Sequence, residues 1–87
     1  MSVNQNNQDK LHPVTIKVNR VDVSFPDHKT SGLAIKQAAI AQGVNNVTLE
    51  FDLFRIAGDT QHKIADGEEK TLHDGEEFRM LRPDHDS

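Results

Sequence analysis

Histidine and aspartate are the residues of this chain best suited to holding a metal ion. A zinc site needs several such side chains that converge on one point. Four of the five histidines fall in different predicted loops: His12, His28, His62 and His73. The C-terminal segment adds three consecutive candidates, Asp84, His85 and Asp86. Consecutive side chains of an extended segment point to opposite sides, so these three do not converge. We therefore interpret these residues as solvated and expect neither a metal nor another cofactor.

Nucleophilic catalysis has little support in the sequence. The chain has no Cys, which excludes disulfides, thiolate ligands and cysteine nucleophiles. Ser31 could be grouped with a histidine and an aspartate, but it lacks the Gly-x-Ser-x-Gly surroundings of a nucleophile elbow. Its place before a helical segment indicates a cap, whose hydroxyl accepts from a backbone N–H group. We expect that the chain is not an enzyme.

The charge of the chain is unevenly divided. Residues 1–46 carry five basic and three acidic side chains, whereas residues 47–87 carry five basic and eleven acidic ones. An acidic second half argues against binding to a phosphate backbone, so no nucleic-acid partner is expected. Six carboxylates are close together in sequence: Asp66, Glu68, Glu69, Asp74, Glu76 and Glu77. We interpret them as a solvated face; the alternative is that they steer a basic partner surface.

Length and hydropathy indicate one small domain. Eighty-seven residues, of which 34% are apolar, support a single limited core. No apolar run approaches the ~20 residues of a membrane span, and the N-terminus lacks the features of a signal peptide. The expectation is a cytoplasmic protein that does not bind membranes.

The first ordered segment is predicted to be a β-hairpin. Apolar residues alternate with polar ones over residues 14–18 and again over residues 21–25. The two runs are joined by Asn19-Arg20, a connection of hairpin length. Pro26 ends the second strand because it has no N–H group to donate.

A helix is predicted near residues 31–42. Thr30 or Ser31 can cap its start, and Gly43 can adopt the left-handed conformation that ends it. At 100° per residue, Ile35 and Ala39 share one face, which we expect to pack on the sheet.

Three further strands are predicted in the second half. Residues 47–56 form the first, with four inward positions at Val47, Leu49, Phe51 and Leu53. Gly58-Asp59 turns the chain into a short strand centred on Ile64, and residues 66–70 and 73–75 are assigned to loops. Residues 76–81 form the last strand, with Phe78 and Met80 inward.

The opposite side of these strands carries a predicted partner-binding patch, consisting of Phe54, Ile56, Arg79, Leu81 and Arg82. An exposed apolar patch with a polar rim often marks a protein interface. The alternatives are that a loop covers Phe54, or that the register is shifted by one residue, which would turn every side chain over.

The order of elements predicts an α+β fold in which one helix packs on a mixed sheet of four to five strands. With the first and last strands parallel, this is the β-grasp, or ubiquitin-like, arrangement. We assign residues 13–82 to this domain. Residues 1–12, rich in Asn and Gln, are predicted to be a disordered leader, and residues 83–87 a flexible tail.

The segment VTIKVNRVDVSFPDHKTSGLAIKQAA resembles the start of the bacterial multiubiquitin-type domains. The shared features are the short hairpin, the Thr/Ser-Gly entry into the helix and the Ile-Lys that follows, here Ser31, Gly32, Ile35 and Lys36. The later segments DLFRI and DGEEFRML fit the same pattern, so that the resemblance covers residues 13–84.

This resemblance implies a ubiquitin-like protein modifier. Such domains are encoded beside homologues of activating (adenylating) enzymes, conjugating enzymes and processing peptidases, in some cases in operons linked to antiphage defence. The implied partners are these enzymes and the target proteins. The alternative is a non-covalent adaptor that binds through its sheet. A sulfur carrier is nearly excluded, because the chain lacks a C-terminal Gly-Gly.

The predicted conjugation or processing tail is Pro83, Asp84, His85, Asp86 and Ser87. Gly-Gly tails thread a bare backbone into a narrow active site, and this acidic tail cannot serve an enzyme that reads Gly-Gly. Either dedicated enzymes accept the bulky end, with Ser87 as the acyl donor, or a peptidase first trims the tail at one of the three residues before it.

Overall fold

The computed structural model describes residues 12–83 of the chain. Within this range the elements are β1 (Val14–Val18), β2 (Val21–Phe25), β3 (Lys29–Ser31), α1 (Gly32–Ala41), β4 (Asp52–Ala57), β5 (Thr60–Ile64), β6 (Glu69–Thr71) and β7 (Glu77–Leu81). A five-stranded sheet has the order β2-β1-β7-β4-β5, and β3 pairs with β6. No helix in the described range is long and apolar enough to cross a membrane.

The predicted hairpin and helix are both confirmed. Asn19 and Arg20 have φ angles of 51° and 71°, the left-handed pair of a two-residue type I′ turn. Ser31 caps α1, because its Oγ accepts a hydrogen bond from the Ala34 N–H at 3.2 Å. Gly43 follows the helix with a φ of 115°, as a left-handed stop requires.

The parallel pairing of the first and last strands is also confirmed. Val18 lies opposite Phe78 in the β1/β7 pair. The Lys17 N–H donates to the Glu76 carbonyl at 2.9 Å, and the Asn19 N–H donates to the Phe78 carbonyl at 3.0 Å. With α1 on one face of the mixed sheet, this is the predicted β-grasp arrangement.

The core lies between α1 and the sheet. Ile35 and Ala39 are fully buried, as the helical spacing predicted. The main strands bury alternate residues against them, including Ile16, Val18, Val23, Leu53, Phe78 and Met80. Each such side chain contributes about 1.5–3 kcal/mol through burial, so the register of the strands is strongly fixed.

The prediction of a strand over residues 47–56 is wrong for its first half. The strand begins at Asp52, and Leu49, predicted to point inward, is 42% exposed. A turn replaces the strand there: the Phe51 N–H donates to the Thr48 carbonyl at 3.0 Å, and the Glu50 N–H donates to the Thr48 hydroxyl at 3.1 Å. The local hydrogen bonds of Thr48 thus override the alternating pattern.

The β3/β6 pair was missed because its strands lack an alternating apolar pattern. By sequence, Lys29–Ser31 resembles a helix entry and Glu69–Thr71 resembles a loop. They pair antiparallel over three residues. The Gly32 N–H continues the pairing by donating to the Glu68 carbonyl at 3.0 Å. This small sheet holds the start of α1 against the segment that leads to β7.

Candidate protein-interaction surface

The open face of the sheet, on the side away from α1, carries the predicted patch. The register places Phe54 opposite Arg79 and Asp52 opposite Leu81 in the β4/β7 pair. Leu53 and Met80, one residue away in each strand, are buried against the helix. The predicted inward and outward positions of β7 are therefore as the alternation indicated, and the patch residues of β4 and β7 point away from the core.

The patch residues differ in exposure. Phe54 and Ile56 are half-buried within the face. Leu81 exposes 38% of its surface, and Arg79 and Arg82 are exposed beside it. The result is a shallow apolar strip with cationic groups at the end where β7 finishes, a composition typical of interfaces. Its role in binding stays a prediction.

Ion pairs between neighbouring strands border this strip. Lys17 Nζ lies 2.7 Å from Asp22 Oδ1, and Lys63 Nζ lies 3.6 Å from Asp52 Oδ1. The hydrogen bond and charge of Asp22 raise the pKa of Lys17. Because Lys17, Asp22 and Lys63 are exposed and Asp52 is partly exposed, these pairs add little stability and form a polar rim that a partner can meet without large desolvation.

A side-chain amide fixes the end of β7. The Met80 N–H donates to Asn19 Oδ1 at 2.9 Å, and Asn19 Nδ2 donates to the Met80 carbonyl at 3.4 Å. β1 ends at Val18, so the amide of Asn19 replaces the backbone of a continuing strand. β7 is thereby held in extended form up to the point where Arg82 and Pro83 leave the sheet.

Of the predicted tail, the structure describes Pro83 alone. Asp84, His85, Asp86 and Ser87 lie outside the described residues, as does the predicted leader except for His12. Pro83 cannot donate to a strand ladder and restricts Arg82 to extended conformations. The chain therefore leaves the fold beside Leu81, at one end of the patch.

The interpretation of Glu76 as solvated is wrong. Its side chain is 9% exposed, and Oε2 lies 2.6 Å from Arg55 Nε and 3.2 Å from Lys70 Nζ. The His73 N–H donates to Oε1 at 3.0 Å. Burial alone would raise the pKa of Glu76, but these donors outweigh it and lower the pKa below the usual 4.5. His73 and Lys70 lie close to Glu76 in sequence, but Arg55 lies 21 residues before it, and no local pattern could have revealed that partner.

Other members of the acidic cluster also have structural partners. Asp74 Oδ1 accepts from the Thr15 N–H at 2.9 Å, and Asp66 lies 2.8 Å from the amine of buried Lys36. Glu68 accepts from the Ala65 N–H. Glu69 and Glu77 remain exposed. The cluster is thus divided among several turns rather than gathered into one face.

The histidines are arranged differently from the prediction. His62 lies within β5, which corresponds to the predicted short strand centred on Ile64, rather than in a loop. His12 and His28, far apart in sequence, meet edge to face with ring centroids 4.8 Å apart. Burial would raise the pKa of the adjacent Asp27, but hydrogen bonds and charge from the two histidines give a net lowering. Among residues 12–83, no group of three or more potential ligands is placed to hold a metal ion.

Comparison of the chain with models of protein families, with curated proteins and with solved structures gave no match. The function must therefore be inferred from the β-grasp arrangement, the open sheet face and the exit of the chain from β7.

Proposed function

We propose that the chain is a ubiquitin-like protein modifier whose C-terminal segment is adenylated by an activating enzyme, after trimming by a peptidase where needed, and is then joined to target proteins. The catalytic residues belong to the enzymes, and this chain contributes a recognisable surface and a reachable end. Conjugation within an antiphage defence system is part of the proposal that rests on sequence resemblance alone.

The observation that carries the proposal is the end of β7. The Asn19 amide holds Met80, and Pro83 then stops the ladder, so that the chain departs from a fixed point next to exposed Leu81. An enzyme that binds the open face next to Leu81 would therefore have the C-terminal segment directed into its active site. The acidity of Asp84 and Asp86 suits a cleft lined with Arg, Lys or backbone N–H groups.

The open face alone also supports the alternative of a non-covalent adaptor. Its half-buried Phe54 and Ile56 and exposed Leu81 can bind a partner without any covalent step. The two functions differ in one respect: only a modifier requires residues 83–87.

The test is to co-express an N-terminally tagged chain with its neighbouring genes and to follow adducts under denaturing conditions. We expect adducts with the native chain, and none when residues 83–87 are deleted. Leu81→Asp should reduce adducts strongly, whereas Ile40→Asp on α1 is the matched control, because both side chains are 38% exposed. Adducts from the tail-less chain would refute the proposal, and partner binding without adducts would support the adaptor.

A further inference from the structure

The two edge strands of the five-stranded sheet, β2 and β5, differ in how many backbone groups they leave open to a further strand. At the β2 edge, the Ser24 N–H donates to Gln42 Oε1 at 2.8 Å, and Gln42 Nε2 donates to the Ser24 carbonyl at 2.8 Å. Within β2, only Asp22 and Ser24 direct their backbone groups outward, since the alternate residues face β1. The Gln42 amide thus leaves too few open groups for another strand to pair with β2.

On β5, two alternate residues direct their backbone hydrogen-bonding groups away from the sheet. A two-residue turn joins β4 to β5 with Ala57 opposite Thr60, so the hydrogen-bonded pairs recur at every second residue from there. His62 accordingly bonds back to β4. Gln61 and Lys63 direct their N–H and carbonyl groups away from the sheet, and no partner from residues 12–83 bonds to them.

The open edge has a defined end. The Ala65 N–H donates to Glu68 Oε1 at 3.1 Å, and the Glu68 N–H donates to the Ala65 carbonyl at 3.0 Å. The ladder available on β5 therefore consists of the backbone groups of Gln61 and Lys63, which can form four hydrogen bonds with one short extended segment.

The surface next to this end indicates the chemistry of the segment. A depression of about 410 Å³ borders Lys63, Ile64 and Ala65, and its wall includes Leu49, which is 42% exposed. Two of its carboxylates are paired, Asp52 with Lys63 and Asp66 with Lys36. Glu50 adds a further negative charge. The depression thus suits an apolar side chain over Leu49 with a basic side chain next to it.

We propose that the edge of β5, residues 60–64, binds an extended segment of another protein by strand addition, and that this segment is largely uncharged with an apolar and a basic residue at the end nearest Leu49. Main-chain hydrogen bonds supply affinity, and the depression supplies selectivity. The contact is small compared with the ~1,200 Å² or more of stable protein–protein interfaces, so the association is transient. This edge adjoins the patch, because Lys63 lies opposite Phe54 in the β4/β5 pair, but it presents backbone groups at the side of the sheet rather than side chains on its face. Strand addition there does not depend on covalent conjugation.

The test uses the full chain and NMR titration with a short acetylated peptide of alternating Thr and Val residues that ends in Val-Lys. We expect shifts confined to residues 49–50 and 60–65. N-methylation of alternate peptide amides should weaken binding about tenfold, a loss of ~1.4 kcal/mol, and replacement of the peptide Lys by Glu should also weaken it.

A pair of variants separates the contribution of the Lys63 backbone N–H group to binding from that of the Lys63 side chain. Lys63→Pro removes an outward N–H without touching the β4/β5 ladder, since an edge strand tolerates proline at such a position. It should abolish binding, whereas Lys63→Ala should retain it. Three results would overturn the proposal: no shifts at millimolar peptide, equal binding of the N-methylated peptide, or concentration-dependent pairing of β5 with a second copy of the chain.

Discussion

Replacing Gly32 by Ala should destabilise the fold severely. Glycine is the first residue of α1, and a Cβ there would overlap the Ala65 carbonyl oxygen and lie 2.9 Å from its carbon and 3.1 Å from Ile64 Cγ2. To remove this overlap, α1 must move away from the segment after β5. Two backbone hydrogen bonds of 3.0 Å, from Gly32 to Glu68 and from Leu33 to Asp66, would then be lost.

The magnitude follows from opposing contributions. Two hydrogen bonds contribute about 2 kcal/mol together, and over-packing costs about 1–3 kcal/mol. The greater helix propensity of Ala offsets about 1 kcal/mol. The net loss is therefore about 2–4 kcal/mol, equivalent to a fall in Tm of at least ~8 °C for a domain of this size.

Chemical denaturation followed by far-UV circular dichroism measures this loss. Gly67→Ala is the matched control, because an added Cβ there meets nothing within 4 Å and its φ is not left-handed. It should leave the free energy of unfolding unchanged or slightly raised. Equal stability of the two variants would refute the close approach of α1 to Ala65.

The remaining predictions concern three polar side chains. Ionised Glu76 should stabilise the fold fully above its usual pKa of 4.5 and less as the pH falls through its lowered folded pKa; denaturation at a series of pH values should show this loss in the native chain and not in Glu76→Gln. Lys36→Met should cost about 1–3 kcal/mol and accelerate hydrogen exchange of residues 47–51, because it removes the 3.1 Å bond to the Leu49 carbonyl. Asn19→Gly keeps the left-handed turn but should accelerate exchange of the Met80 amide.

Apolar alternation and helix-capping residues were sufficient to predict the elements that form the core. Alternation predicted both strands of the hairpin, and Ser31 and Gly43 indicated a helix near residues 31–42, within one residue of its observed ends at Gly32 and Ala41. The side chains of β7 also faced as expected, since a one-residue shift would expose Phe78 and Met80. These features depend on neighbours close in sequence.

Features held by distant polar partners could not be predicted. The segment around Leu49 has an alternating pattern, yet it forms the turn at Thr48, and the buried amine of Lys36 binds the Leu49 carbonyl there. The side chain of Glu76 is largely buried and pairs there with Lys70 and with Arg55, which lies 21 residues before it. The contacts of Lys36 with Leu49 and of Arg55 with Glu76 join residues 13 and 21 positions apart, which no local pattern encodes. The placement of the patch followed from alternation, but its binding role follows from no pattern.

The proposed modifier function requires that the end of this chain becomes covalently attached to other proteins. The most direct measurement is mass spectrometry of proteolysed adducts from cells that express the chain with its neighbouring genes. The proposal predicts peptides in which a residue of the 84–87 segment, as an acyl group, is joined to a target amine. Recovery of the chain solely as the free protein, with its activating enzyme present and active, would contradict it.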